Sequence, residues 1–158
     1  MFRPLLRSGQ GLEEARCLEL LEEQKRGVLS VNGDDGYPYA MPMNHFYCRE
    51  NGKLYFHSGN VGHRLEAVKR SDKVCFCVHD EGVRKPGSWP LYFQSVIVFG
   101  RLRLVEDRDT VSRITAALSR KFTDDEAYIQ DEIAKHLHRT VLLELTPEHI
   151  SGKRVEES

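Results

Sequence analysis

Residues 37–64 read YPYAMPMNHFYCRENGKLYFHSGNVGHR, which predicts two strands, a turn between them and the start of a helix. The first strand, 37–48, contains Pro38 and Pro42, which have no N–H to donate to a ladder of hydrogen bonds. We therefore expect this strand at a sheet edge or at a bulge. The second strand, 53–58, runs directly into a segment rich in glycine and cations. The combination favours a sheet that leads into a helix N-terminus with an anion site.

The segment that follows the second strand is a candidate phosphate site. Its members supply a hydroxyl, an amide, glycines that permit close backbone approach, and basic side chains: Ser58, Gly59, Asn60, Gly62, His63 and Arg64. An arginine can bind two phosphate oxygens at once. The same residues also fit an ordinary strand-to-helix loop capped by Ser58 or Asn60. The spacing matches neither a Walker nor a dinucleotide motif, so both interpretations remain open from the residues alone.

Residues 40–46, AMPMNHF, form the second half of the candidate site. Pro42 removes one donor from the ladder, which leaves backbone groups available to a flat ring with polar edges, such as a flavin. Asn44 or His45 can add a side-chain contact. The alternative is that Met43 and His45 belong to the core and that the prolines only protect an edge.

Composition and charge limit the class of protein. The chain has 158 residues, of which 40% are hydrophobic and 30% charged, and this suits one soluble domain covering 1–158. A net charge of −1 gives no overall field to attract nucleic acid or an anionic membrane. No apolar run is long enough to span a bilayer and the N-terminus lacks a signal-peptide core, so we expect a cytoplasmic protein.

The four cysteines are expected to be reduced thiols, because they lie on three different predicted elements and no small secreted scaffold surrounds them: Cys17, Cys48, Cys75 and Cys77. Cys75, Cys77 and His79 alternate along one predicted strand and share a face, which is a conceivable metal site. The other interpretation is that residues 74, 76 and 78 face the core while small thiols pack on the opposite side. No second ligand cluster accompanies the motif, so we expect packing rather than a metal.

The rest of the chain predicts an antiparallel barrel. Helices are expected at 12–26, about 62–70, 107–122 and 124–137, and strands at 28–31, 73–79, 91–105 and 140–145. Gly100 predicts a bulge in the longest strand. Pro147 is expected to end the last strand and to leave 147–158 as a polar tail. This order lacks regular βαβ alternation and favours a mainly β fold with appended helices (α+β).

The stretches GVLSVNGDDGYPYAMPMNH, KLYFHSGNVGHRLEAV, KVCFCV and YFQSVIVFGRLRLVED, with the closing SGKR, resemble the flavin-binding split-barrel proteins related to pyridoxamine phosphate oxidase. Within them the chain is similar to the nitroimidazole-resistance (Nim) branch. The resemblance implies an antiparallel split β-barrel of Greek-key type and a homodimer that binds FMN between its protomers.

The resemblance also implies a set of cofactor contacts. These are Met43 and Asn44 at the isoalloxazine, His57, Ser58, Gly62, His63 and Arg64 at the ribityl phosphate, and Ser95 and Val96 near the flavin. Gly59 stands where the family often has alanine, and Arg64 where lysine is common, and both changes preserve the chemistry. Lys153 is implied to approach the phosphate.

The function implied is that of an FMN-dependent oxidoreductase. It would take electrons from NAD(P)H and pass them to a small molecule, a 5-nitroimidazole-type compound for a Nim-like protein. Two alternatives stay open: a binding protein that holds flavin or haem without turnover, and an F420-dependent oxidoreductase whose basic groove would use Arg84, Lys85 and Arg101. The sequence does not assign a catalytic residue, and His45 is either a proton donor near the flavin or a structural residue.

Overall fold

Eight antiparallel strands form one sheet that curls into a half-barrel, and four α-helices pack around it. This computed structural model describes residues 1–157. The helices are α1 (Glu14–Glu23), α2 (His63–Arg70), α3 (Arg108–Ser119) and α4 (Glu126–His136). The strands are β1 (Arg26–Asn32), β2 (Pro38–Asn44), β3 (Phe46–Cys48), β4 (Lys53–Gly59), β5 (Lys73–His79), β6 (Val83–Arg84), β7 (Leu91–Val105) and β8 (Thr140–Glu156). The predicted fold class, a split barrel with appended helices, is confirmed.

The proline-containing strand lies at an edge, as predicted. The order in the sheet is β2-β1-β5-β7-β8-β4-β3, with β6 paired to β7 alone. Pro38 and Pro42 lie opposite Asn32 and Val28 of β1, and the other side of β2 faces no strand. A residue without an N–H is tolerated at this position because no further strand needs the donor.

Strand β5 shows how the two faces of the sheet differ. Val74, Phe76 and Val78 are buried inside the curl, and the Phe76 ring meets Phe56 of β4 edge-on with centroids 5.0 Å apart. Cys75 and Cys77 lie half-buried on the opposite, outer face. The alternation expected for this strand is therefore present.

The strand predicted at 37–48 is two strands, because the chain turns inward at His45. Its ring is fully buried, and its Nε2 donates to the carbonyl of Leu21 on α1 at 2.7 Å. Lys121 Nζ donates to the carbonyls of Gln24 and His45, both at 2.7 Å, so the interruption of the ladder is compensated. The burial of the His45 ring, with its hydrogen bond to Leu21, accounts for the break between β2 and β3.

The predicted end of the last strand at Pro147, and with it the polar tail, is wrong. Strand β8 continues to Glu156 and stays paired with β7 along its length. The register shifts between Phe99 and Gly100, and Gly100 lies opposite Pro147. A Cβ on Gly100 would lie 2.2 Å from the carbonyl oxygen of Thr146, so only glycine permits this approach. The irregularity predicted at Gly100 is confirmed, but the extra residue is Glu148 on β8, opposite the β7 step from Phe99 to Gly100. This bulge accommodates the proline.

None of the helices within residues 1–157 combines the length and the apolar character that a membrane crossing requires.

Candidate functional site

A cleft of about 370 Å³ opens where β2, β4 and α2 meet. The curl of the sheet brings β2 near β4, although the sheet order separates them. The lining residues are Arg26, Pro42, Met43, Asn44, His57, Ser58, Gly59 and Arg64. Five residues that the sequence resemblance assigned to the cofactor are thereby placed around one space: Met43, Asn44, His57, Ser58 and Arg64.

Arg64, in the first turn of α2, is the principal cation of the cleft. Its Nη1 lies 2.7 Å from the sulfur of Met43, a buried residue of β2. A thioether is a weak acceptor, so this contact positions the guanidinium without occupying its other donors. Within residues 1–157 Arg64 forms no ion pair. The planar fork is therefore available to an anionic ligand.

Arg26, the first residue of β1, is a cleft residue that sequence reasoning missed. Its Nε donates to Asn44 Oδ1 at 2.8 Å, which fixes the amide at the end of β2. In the antiparallel pairing of β1 with β2, Arg26 lies opposite Asn44. A prediction of this register from the sequence would have identified Arg26 as a cleft residue. Two guanidinium groups and no carboxylate line the cleft. Positive charge is thus local, although the chain as a whole carries −1.

The N-terminus of α2 lies next to this cleft and begins without a side-chain cap. Gly62 precedes the helix with φ 128°, a conformation that favours glycine. A Cβ on Gly59 or Gly62 would meet no atom within 4 Å, so a ligand can approach the backbone here. The first amides of an uncapped helix are suited to an anion.

Two members of the predicted phosphate cradle use their side chains elsewhere. The His63 ring stacks on Tyr39 with centroids 4.4 Å apart, and its Nε2 lies 3.4 Å from Asp34 Oδ2. The hydroxyl of Ser58 donates to the carbonyl of Gly59 at 2.9 Å, which leaves its oxygen as an acceptor. Of the predicted phosphate ligands, His63 and Gly62 are not among the residues that line the cleft.

His57 lies on β4 at the boundary of the cleft. His57 is exposed by its accessible surface. Partial desolvation by neighbouring atoms, and then the charge of Arg64, lower the pKa of His57 from its ordinary value. The imidazole is therefore neutral at pH 7, with one nitrogen that donates and one that accepts. The donor set of the cleft, two arginines, a helix N-terminus, an amide and a neutral histidine, fits a ligand that carries a phosphate and a polar ring.

A family model described as pyridoxamine 5'-phosphate oxidase matches residues 13–154. The chain belongs to this family. A comparison with curated proteins finds no match.

Solved structures share the fold of this pyridoxamine 5'-phosphate oxidase family chain at low identity. A conserved hypothetical protein from Mycobacterium tuberculosis is 16% identical with a TM-score of 0.79, covering 95% of this chain and 90% of that one. A candidate 5-nitroimidazole antibiotic resistance protein from Bacteroides thetaiotaomicron is 19% identical with a TM-score of 0.75, covering 93% and 87%. An FAD and heme binding protein from Mycobacterium smegmatis is 20% identical with a TM-score of 0.71, covering 91% and 72%.

In this family member His45 does not line the cleft. Burial, followed by the charge of Lys121, lowers the pKa of His45 to about 3, so the ring stays neutral at physiological pH. The ring also packs edge-on against Phe76, with centroids 4.9 Å apart. Of the two roles that the sequence left open, the geometry supports the structural one.

Ser95 and Val96 lie on β7, away from the cleft lining. Val96 is fully buried in the core, and Ser95 lies between its strand partners His79 and Lys153. Lys153 also bridges to Gly11 of the N-terminal segment. None of these residues lines the cleft of the same chain, and their implied roles stay predictions that depend on a second protomer.

Proposed function

We propose that this chain binds FMN in the cleft and acts as a flavin-dependent oxidoreductase. The observation that carries the proposal is the convergence of Arg26, Arg64 and the uncapped start of α2 on a space whose other wall is the edge strand β2. Cations and free amides suit a phosphate, and the edge strand suits a flat ring. The flavin named for the Mycobacterium smegmatis neighbour supports the same cofactor class.

The residues of the chain have separate tasks in this proposal. Arg64 and the amides of α2 hold the phosphate, while Arg26 orients Asn44 toward the ring. His57 offers a neutral imidazole beside both groups. A bound flavin supplies reversible hydride and electron transfer, with NAD(P)H as donor and a nitro group of a 5-nitroimidazole-type compound as acceptor. The protein binds and orients the flavin and excludes water from it.

A second copy of the chain is proposed to complete the site. The outer face of the sheet carries a cross-strand row of Val28, Cys77 and Ile97, and Phe99 lies in the next row. Ile97 and Phe99 are 37% and 38% exposed, which is unusual for side chains in the middle of a sheet. A hollow of about 540 Å³ runs along this face and shares Arg26 with the cleft. A partner that covers the face would therefore also close the groove.

Charge on this face is expected to separate the protomers. Ile97→Asp should convert a dimer into a monomer, because it buries an unpaired carboxylate in an apolar contact. It should also reduce FMN retention if the partner closes the groove. Light scattering after size-exclusion chromatography measures the mass. Tyr128→Asp, at an exposed position on α4, is the control and should leave the dimer intact. A monomeric wild type, or a variant that stays dimeric, would contradict the proposal.

The proposed cofactor is tested by the absorbance spectrum of freshly purified protein, with acid release and identification of the chromophore. We expect the bands of oxidised flavin and release of FMN. Oxidation of NADH or NADPH that depends on an added 5-nitroimidazole then tests turnover. Protein that is colourless and takes up no added FMN would refute the proposal.

The same spectrum decides between the proposal and its alternatives. A Soret band without flavin would indicate the haem-binding alternative, which the name of the Mycobacterium smegmatis neighbour motivates. Retention of F420 instead of FMN would indicate the deazaflavin alternative. Arg101, one of the residues considered for that acidic cofactor, is engaged by Asp72 and Glu148 at 3.0 and 3.2 Å. That engagement disfavours the F420 groove.

A further inference from the structure

A second pocket, of about 190 Å³, lies between β4 and the helices α3 and α4. His57 lines both this pocket and the cofactor cleft, so one imidazole forms a shared wall. The helices that enclose the pocket are well defined at their starts, because Asp107 and Asp125 accept from the amides of Thr110 and Tyr128. The pocket is therefore part of the folded framework, and His57 is the one lining residue that it shares with the space proposed for FMN.

The apolar walls of the pocket favour a ring or another compact apolar body. Ile129, Ile133 and Leu137 supply these walls from α4 and the turn that follows it. Ile129 and Ile133 are 2% and 8% exposed, so they belong to the core and not to a surface groove. A volume of this order accommodates a small bicyclic molecule and excludes a dinucleotide or a peptide.

The polar groups of the pocket are mainly hydrogen-bond acceptors. The hydroxyl of Ser119 donates to the carbonyl of Thr115 at 2.8 Å, and that of Thr140 donates to the carbonyl of His136 at 2.8 Å. Both oxygens therefore have only accepting capacity left. The hydroxyl of Thr115 is buried and has no partner within residues 1–157. Its oxygen has almost no accessible surface, so an occupant of the pocket cannot reach it, and the acceptors open to a ligand donor are the hydroxyl oxygens of Ser119 and Thr140.

The charge of the pocket disfavours anions. Glu132 is a carboxylate in the lining, and no lysine or arginine is among the lining residues. His136 is held between two partners, with Nε2 3.5 Å from Glu132 and Nδ1 2.6 Å from Arg139. The cofactor cleft, with its two arginines, has the opposite character.

We propose that this helical pocket is a second small-molecule site, for an uncharged aromatic heterocycle that carries an N–H donor. The apolar walls hold the ring, and the N–H is received by the hydroxyl oxygen of Ser119 or Thr140. Because the occupant would touch His57, the pocket and the cofactor cleft share a contact residue. The site follows from the lining alone and does not rest on the bound flavin.

Indole and benzofuran test the site, because the two molecules have nearly the same shape and only indole has an N–H. Titration of the full chain by calorimetry, with ligand-observed NMR, should give a dissociation constant for indole roughly five- to tenfold lower than for benzofuran, which corresponds to one net hydrogen bond. Equal constants would overturn the proposed N–H recognition, and no binding of either molecule would show that the pocket is not a site for an aromatic ligand.

Two variants place the binding in this pocket. The double variant Ser119→Ala and Thr140→Val removes both hydroxyl acceptors with little change of volume and should reduce indole affinity about fivefold while leaving benzofuran unchanged. Ile133→Phe fills the space and should abolish both. Thr146→Val, at an exposed position of β8, is the matched control and should change neither. Indole binding that survives Ile133→Phe in a folded protein would show that it binds elsewhere.

Flavin content recorded on the same samples separates this proposal from the proposed function. Ile133→Phe should lose indole and keep FMN, whereas Arg64→Ala should lose FMN and keep indole. Displacement of indole by added FMN would place indole in the cofactor cleft and overturn the second site. Protein that binds indole as described but no flavin would overturn the function and leave the site intact.

Discussion

Arg64→Ala is expected to weaken FMN binding by roughly 10- to 100-fold, the effect of losing one charge-assisted hydrogen bond to a phosphate. The expectation follows from a guanidinium that lines the cleft and is held by a single weak contact to Met43. Fluorescence quenching of FMN during titration of the cofactor-free protein gives the dissociation constant. Arg64→Lys should retain part of the affinity, because an ammonium keeps the charge but not the two-pronged geometry.

A neighbouring arginine provides the control. Arg70, at the other end of α2, pairs with Asp34 at 2.7 Å and does not line the cleft. Arg70→Ala should leave FMN affinity within about twofold, since an exposed pair contributes little. If both variants weaken FMN equally, the effect comes from the overall charge of the helix, and Arg64 has no specific contact.

His45 is expected to make the stability of the protein depend on pH on the acidic side. Its pKa falls from 6.5 to about 3 on folding, so the unfolded chain takes up a proton that the native state refuses. The contribution is fully present above pH 6.5 and is lost progressively as the pH falls toward 3. Between pH 7 and pH 4 the loss amounts to about 3 kcal/mol of unfolding free energy. Denaturant titrations at several pH values measure it.

His45→Gln isolates this contribution, because the amide can still donate to the carbonyl of Leu21 but does not titrate. The difference in unfolding free energy between wild type and variant should shrink as the pH falls, because only the wild type loses the His45 contribution. The carboxylates are common to both proteins, so their titration cancels in this difference. His79→Gln is the control for an exposed histidine and should follow the wild-type curve. Parallel curves for wild type and His45→Gln would show that the ring can be protonated in the folded state.

Local chemistry made much of the fold predictable. Prolines at 38 and 42 marked an edge strand, Gly100 marked a bulge, and alternation along 73–79 marked the inner and outer faces. Each of these features depends on a missing N–H, a missing Cβ or the period of a strand. Such signals can be recognised without knowledge of distant parts of the chain.

The features that failed depend on residues far apart in sequence. Pro147 looked like a stop signal because its compatibility with a strand depends on Gly100, which lies opposite it at the bulge. His45 looked like one position of a continuous strand because its acceptor, Leu21, lies on α1. Both the continuation of the strand at Pro147 and the break at His45 depend on tertiary contacts, which residue propensities do not reveal.

The candidate site was predictable in part for the same reason. The loop between β4 and α2 is contiguous, so Ser58 and Arg64 were found from the residue types in that loop and from the family resemblance. Arg26 became a cleft residue only through its register opposite Asn44. The helical pocket had no sequence signal, because its walls come from α3, α4 and β4, and its free acceptors become apparent only from the hydrogen bonds of the folded chain.

Strand β8 joins the two parts of the sheet, because β7 and β4 both pair with it and not with each other. During synthesis the ribosome makes β8 after every other strand, so β3 and β4 have no partner from the main sheet until it emerges. The barrel therefore closes late, through contacts between residues distant in sequence. Nascent chains arrested before residue 140 should expose the edges of β4 and β7 and depend on chaperones to stay soluble.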